Sequence, residues 1–110
     1  MPSRIDLHTH TTASDGTLDP PDLLRKAHEL GISYLAISDH DSTTGFESIL
    51  PLLPSFQPLQ LIPAIEINAE GPFACHLLGY FINYQDAVFQ KRLSEYRQLR
   101  ISRVKANWWG

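Results

Sequence analysis

Cysteine is nearly absent from this 110-residue chain: Cys75 stands alone, so no internal disulfide can form, and the usage fits a reducing compartment. No run approaches the eighteen or so apolar residues that a membrane span needs. The opening Met-Pro-Ser-Arg-Ile-Asp has no apolar core of the kind a secretory signal carries. The sequence also lacks repeats and low-complexity tracts, so solenoid and linker architectures are excluded. These absences together predict a cytoplasmic protein with no membrane partner.

What is present fits one small folded domain. Hydrophobic residues make up 43% of the chain, enough for a core that buries roughly two thirds of the unfolded surface. The net charge of -3 conceals an asymmetry. Residues 1–90 hold eleven acidic and three basic side chains, a balance of -8, whereas 91–110 hold one acidic and six basic, a balance of +5. Solvated surface patterning is the simpler reading of that tail, and a phosphate or nucleic-acid contact is the alternative.

Apolar runs alternate with helical patterns. Ile5 and Leu7 alternate with Asp6, His8 and His10, the period of a strand, and predict one face packing outward and the other carrying the histidines. A Thr-, Ser-, Asp- and Gly-rich loop follows. Asp19 then caps a helix that opens on Pro20 and Pro21 and stops at Gly31. A second strand at 34–38 precedes a short helix around 46–53 closed by Pro51 or Pro54. A third strand follows in which Ile62, Ala64 and Glu66 share a face. Glu70-Gly71-Pro72 signals a turn, so 67–69 and 73–80 are expected to form a hairpin that returns His76 towards Glu66. Residues 86–109 read as one long helix. The β-α-β-α alternation predicts an α/β fold with a parallel sheet.

Each of four apolar runs carries a potential metal ligand at or near one end. His8 and His10 follow the first, in which same-facing residues lie about 6.6 Å apart; Asp15 follows in a Ser-Asp-Gly turn. Asp39-His40-Asp41 ends the second, Glu66 the third, and His76 opens the fourth. Loops after parallel barrel strands gather on one face, which would bring these distant positions into one pocket. His28 lies inside the first helix and reads as helix surface. Cys75 neighbours His76 but reads as a small buried apolar residue.

Taken as a set, Asp6-Leu-His-Thr-His10, Ser14-Asp15-Gly16, Ser38-Asp-His-Asp41, Ile62-Pro-Ala-Ile-Glu66 and His76-Leu-Leu-Gly-Tyr80 closely resemble the amino-terminal half of the polymerase and histidinol phosphatase (PHP) family of phosphoesterases. The resemblance implies a distorted (β/α)7 TIM-like barrel that holds two or three divalent ions, manganese, zinc or iron, and hydrolyses phosphate mono- or diesters. It implies His8, His10, Asp15, His40, Glu66 and His76 as metal ligands, with Glu66 bridging two ions. Asp39 and Asp41 match the motif as supporting residues that orient ligands such as His40. The subgroup that looks nearest acts on nucleoside 3′,5′-bisphosphates or the 5′ ends of short oligonucleotides; histidinol phosphate is the competing substrate. Arg100 and Arg103 on the basic tail are candidate phosphate contacts, because guanidinium pairs with phosphate oxygens in a bidentate manner.

The same resemblance implies a later histidine and a closing Asp-x-His pair, which nothing after His76 supplies. Residues 1–110 are therefore expected to be a PHP domain truncated before its later strands. A partial metal-binding module without independent catalysis is an alternative of a different class. Amidohydrolases also begin with His-x-His, but they usually add a modified-lysine or carboxylate bridge; Lys26 sits in a helix pattern and the next lysine is Lys91.

Overall fold

The computed structural model describes residues 4–69 and 75–109, with side chains for 4–67 and 76–99. Its sheet has four strands in the order β1 (Arg4–Thr9), β2 (Ile32–Ile37), β3 (Gln60–Ala69) and β4 (Cys75–Tyr80). The first three run parallel, as the alternation predicts, and β4 returns antiparallel to β3 with Asn68 opposite His76. The expected hairpin is thus present in its strands; its turn at 70–72 lies outside the described residues.

Local chemistry explains the first crossover. Asp19 accepts a hydrogen bond from the Asp22 N–H at 2.9 Å, and Pro20 and Pro21 open α1 (Pro20–Glu29) where no donor is needed. Gly31 then turns the chain at φ 75, a conformation that costs glycine little. Leu24 and Ala27 on α1 meet Leu35 and Ile37 of β2 together with Ile49 and Leu59, forming the buried core. Truncating Leu24 to alanine there would cost about 2–5 kcal/mol.

After β2 the chain forms α2 (Thr44–Ile49) and continues as a 3-10 segment, Leu50–Phe56. The sequence predicts a single helix around 46–53. The change of helix type has a physical cause, since Pro51 and Pro54 remove the N–H groups an α-helix would use. The last element, α3 (Ala87–Trp109), starts where the Asp86 carboxylate accepts from the Phe89 N–H at 2.8 Å. Leu93 is buried, Gln90 donates to Thr43 Oγ1 at 2.8 Å, and Arg97 donates to the Asp41 carbonyl at 2.5 Å. These contacts fix α3 beside the loop after β2. Among the described residues, no helix is long and apolar enough to cross a membrane.

One expectation is overturned in β1. Simple alternation places Ile5 and Leu7 on the face opposite His8 and His10. The observed pairing takes three steps along β1, Asp6 to Thr9, against two along β2, Leu35 to Ile37. The extra residue is a β-bulge, and it reverses the facing of everything after it. Ile5 and Leu7 consequently share the inner face with the histidines. With Tyr34, Ile62, Tyr80 and Phe81 they line an open apolar cavity of about 340 Å³. Tyr80 secures the distorted strand by donating from its hydroxyl to the Leu7 carbonyl at 2.7 Å.

Candidate metal centre

Glu66 is the hub. Its backbone extends the sheet into the loop after β2: the Glu66 N–H donates to the Asp39 carbonyl, and the Asp41 N–H donates to the Glu66 carbonyl, both at 3.1 Å. This pairing sets His40 directly beside Glu66. The carboxylate, 3% exposed, then receives four imidazoles. Oε1 lies 2.6 Å from His8 Nε2 and 3.2 Å from His10 Nε2; Oε2 lies 2.8 Å from His76 Nδ1 and 3.3 Å from His40 Nδ1. The bulge in β1 is what lets both His8 and His10 reach it.

Asp15 faces this cluster from the loop after β1. Its Oδ1 lies 2.6 Å from His10 Nδ1 and its Oδ2 3.0 Å from His40 Nε2. Among the described residues, two three-residue groups have ligand atoms close enough for one cation: His8, His10 and Glu66, and His10, Asp15 and His40. His10 belongs to both through different nitrogens. A neutral imidazole has one lone pair, so coordination through Nε2 leaves an Nδ1–H to donate to Asp15. That carboxylate–histidine arrangement fixes ring orientation around metals generally.

Electrostatics agrees with the geometry. Burial pushes the Glu66 carboxyl up, but hydrogen bonds from His76 and His8, the charge of His40 and the bond from His10 outweigh it, so the group is held below its ordinary value. For Asp15 burial likewise acts upward and is outweighed by the His10 hydrogen bond and the charges of His40 and His10, again a net lowering. Both carboxylates are therefore kept ionised. His40 Nδ1 is buried and has no hydrogen-bond partner. An orphaned buried nitrogen 3.3 Å from a carboxylate oxygen, within a mixed imidazole and carboxylate set, suits a divalent transition-metal ion.

All six ligand-type residues singled out in the sequence thus meet in one place. Of the two expected supporting residues, Asp39 makes its hydrogen bonds to the loop after β1. His40 Nε2 meets Asp15 and its Nδ1 has no hydrogen-bond partner, so Asp39 is not what orients that ring. Asp39 instead accepts from the Thr11 N–H at 2.6 Å, Thr11 Oγ1 at 2.6 Å and Ser14 Oγ at 2.8 Å. Asp41 is buried at φ 53 and offers its carbonyl to Arg97. The side chains of Arg100, Arg103 and Cys75 lie outside the described residues. His28 is exposed on α1 against Phe56, as its helical position predicts.

Sequence reasoning assigns no role to Thr11, Ser14 or Gly45. A threonine and a serine in a polar loop look solvated, and only the long-range contact with Asp39 reveals that Thr11 is fully buried. Gly45 sits where an added Cβ would stand 2.4 Å from Asp39 Oδ2 and 2.7 Å from Thr11 Oγ1. No short-range pattern announces that close approach.

Residues 6–102 match the family described as PHP domain. The chain is 35% identical over 100 residues to the 5′-3′ exoribonuclease Rnm of Salmonella typhimurium, covering 89% of this chain and 34% of that protein. It is 26% identical over 104 residues to the 3′,5′-nucleoside bisphosphate phosphatase of Chromobacterium violaceum, covering 94% and 36%. A solved Chromobacterium violaceum structure, described as an amidohydrolase with bound sulfate and no metal, superposes with a TM-score of 0.83 at 26% identity, covering 94% of this chain and 37% of that one. The chain thus spans about a third of the length of these relatives.

Proposed function

The chain belongs to the PHP domain family, and on that footing we propose that it forms part of a metal-dependent phosphoesterase acting on nucleotides or short nucleic acids. The observation that carries this reading is the buried Glu66 carboxylate with an imidazole nitrogen of four histidines within 3.3 Å, and Asp15 across from it. In this reading residues 1–110 are the opening part of a PHP domain. His8, His10 and Glu66 would hold one ion, Glu66 and His76 part of a second, and Asp15 with His40 part of a third. Manganese, zinc and iron all suit such nitrogen and oxygen donors.

Bound there, divalent cations supply a water of lowered pKa and neutralise charge on phosphoryl oxygens. The chain's own residues do the rest. Glu66 gives its negative charge to the centre of the cluster, and its backbone pairing keeps His40 in place. Asp15 fixes the orientation of His10 and His40. The antiparallel return of β4 sets His76 on the same end of the sheet. Arg100 and Arg103, at the basic end of α3, are assigned to substrate phosphate on the strength of the +5 charge of residues 91–110.

The relatives' activities direct the substrate choice: one is named for removing nucleotides from RNA 5′ ends, the other for a phosphatase acting on nucleoside bisphosphates. The test begins with metal content per chain, by elemental analysis, against His8→Ala and His10→Ala controls. A nucleoside 3′,5′-bisphosphate, a 5′-phosphorylated oligoribonucleotide and an amide are then assayed side by side with the protein carrying this chain. Metal lost in the controls, with turnover of a phosphate ester only, is expected. Amide hydrolysis alone, or equal metal in wild type and controls, would overturn the reading.

A further inference from the structure

Asp39 is 1% exposed, and its carboxylate receives three hydrogen bonds, all from the loop that leaves β1: the Thr11 N–H and hydroxyl at 2.6 Å each and the Ser14 hydroxyl at 2.8 Å. Thr11 is itself the centre of that loop. Its carbonyl accepts from the N–H groups of Ser14 at 3.0 Å and Gly16 at 2.8 Å, and its hydroxyl oxygen accepts from the Ala13 N–H at 3.1 Å. Thr11 is fully buried. Gly45 leaves the space in which the carboxylate and the threonine hydroxyl meet.

These bonds enclose Asp15 on both sides. It lies between Ser14, bound to Asp39, and Gly16, bound to Thr11. From there its side chain reaches His10, the neighbour of Thr11, and His40, the neighbour of Asp39. We propose that Asp39 is a positioning residue for Asp15: it clamps the Thr11–Ser14 segment so that Asp15 stands between His10 and His40. The inference rests on the proposed metal-site reading for its consequence but not for its geometry. A buried carboxylate with three donors is a rigid anchor, since charge-assisted hydrogen bonds are short and strong. Its action runs through the loop, at one remove from any ligand atom.

The test combines two readouts in the full chain. In metal-free protein, Asp39→Asn and the milder Ser14→Ala are expected to raise amide exchange at Ser14 and Gly16 while leaving core amides of α1 and β2 unchanged. With zinc or manganese added, Asp39→Asn is expected to weaken binding about ten- to hundredfold, the usual effect of losing support behind a ligand. Ser14→Ala should weaken it about two- to tenfold, one hydrogen bond's worth. In an Asp15→Ala background neither change should move the affinity more than about twofold, because the residue they act through is gone.

Equal weakening with and without Asp15 would overturn the inference, as would unchanged exchange at Ser14 and Gly16. Should Asp39→Asn fail to fold, Ser14→Ala decides the matter alone. A wild-type chain that binds no metal would remove the proposed function, and the exchange measurement would still decide whether Asp39 holds the loop.

Discussion

Gly45→Ala offers a demanding check on the packing around Asp39. The new Cβ would stand 2.4 Å from Asp39 Oδ2 and 2.7 Å from Thr11 Oγ1, whereas carbon and oxygen ordinarily approach no closer than about 3.3 Å. Relief therefore requires a displacement of roughly 0.9 Å. The carboxylate cannot yield that distance cheaply, because its bonds to Thr11 and Ser14 measure 2.6, 2.6 and 2.8 Å; a comparable stretch takes them past the ~3.2 Å limit of a useful hydrogen bond. Losing one charged hydrogen bond costs about 1.5–3 kcal/mol, and overpacking adds about 1–3 kcal/mol. The sum, about 2.5–6 kcal/mol, is a large share of the roughly 5–15 kcal/mol that holds a domain together. Urea denaturation of metal-free wild type and variant should show that difference in midpoint stability, with a melting temperature lower by more than roughly 10 °C. A variant within about 0.5 kcal/mol of wild type would refute the account of a rigid, close-packed anchor.

Other expectations concern the centre itself and the core. Glu66→Gln keeps the shape but removes the charge that faces four imidazoles, so metal content should fall to background; full retention would show that the histidines bind without it. Because the Glu66 and Asp15 carboxyls are held below their ordinary values of 4.5 and 3.8, the stability they contribute to the metal-free chain is complete above those values. It is lost as pH falls through the lower folded-state values. Urea midpoints followed downward from pH 5 should therefore decline less steeply in Glu66→Gln than in wild type, and parallel profiles would contradict the assignment. Leu24→Ala should destabilise by about 2–5 kcal/mol in the same assay without altering metal stoichiometry in the folded fraction.

The elements legible in the sequence were those fixed by near neighbours. Asp19 with Pro20 and Pro21 announces a helix start because a cap and its N–H partner are three residues apart. The ligand set was legible for a different reason: histidines and carboxylates at the ends of apolar runs have few structural uses, and parallel strands gather their ends. What stayed hidden depends on partners far along the chain. The bulge in β1 arises from register against β2, twenty-eight residues away in the Asp39-to-Thr11 contact that follows it, and no pattern within 4–9 reveals it. Thr11 and Ser14 look solvated until Asp39 is placed against them. The change from α2 to 3-10 geometry lay between these cases, since Pro51 and Pro54 were visible but the helix type they leave was not.

The extra residue in β1 makes the strand's parity a determinant of its chemistry. A sheet offers two sides, and each residue inserted or removed exchanges them for everything downstream. Were β1 to pair residue for residue with β2 from Asp6 onward, with no bulge, His8 and His10 would turn towards the layer where Leu24 and Ile49 pack. Two imidazoles would then face an apolar interior while Glu66 lost half of its nitrogens. Within this segment the pairing register, as much as residue identity, decides which side of the sheet the histidines face.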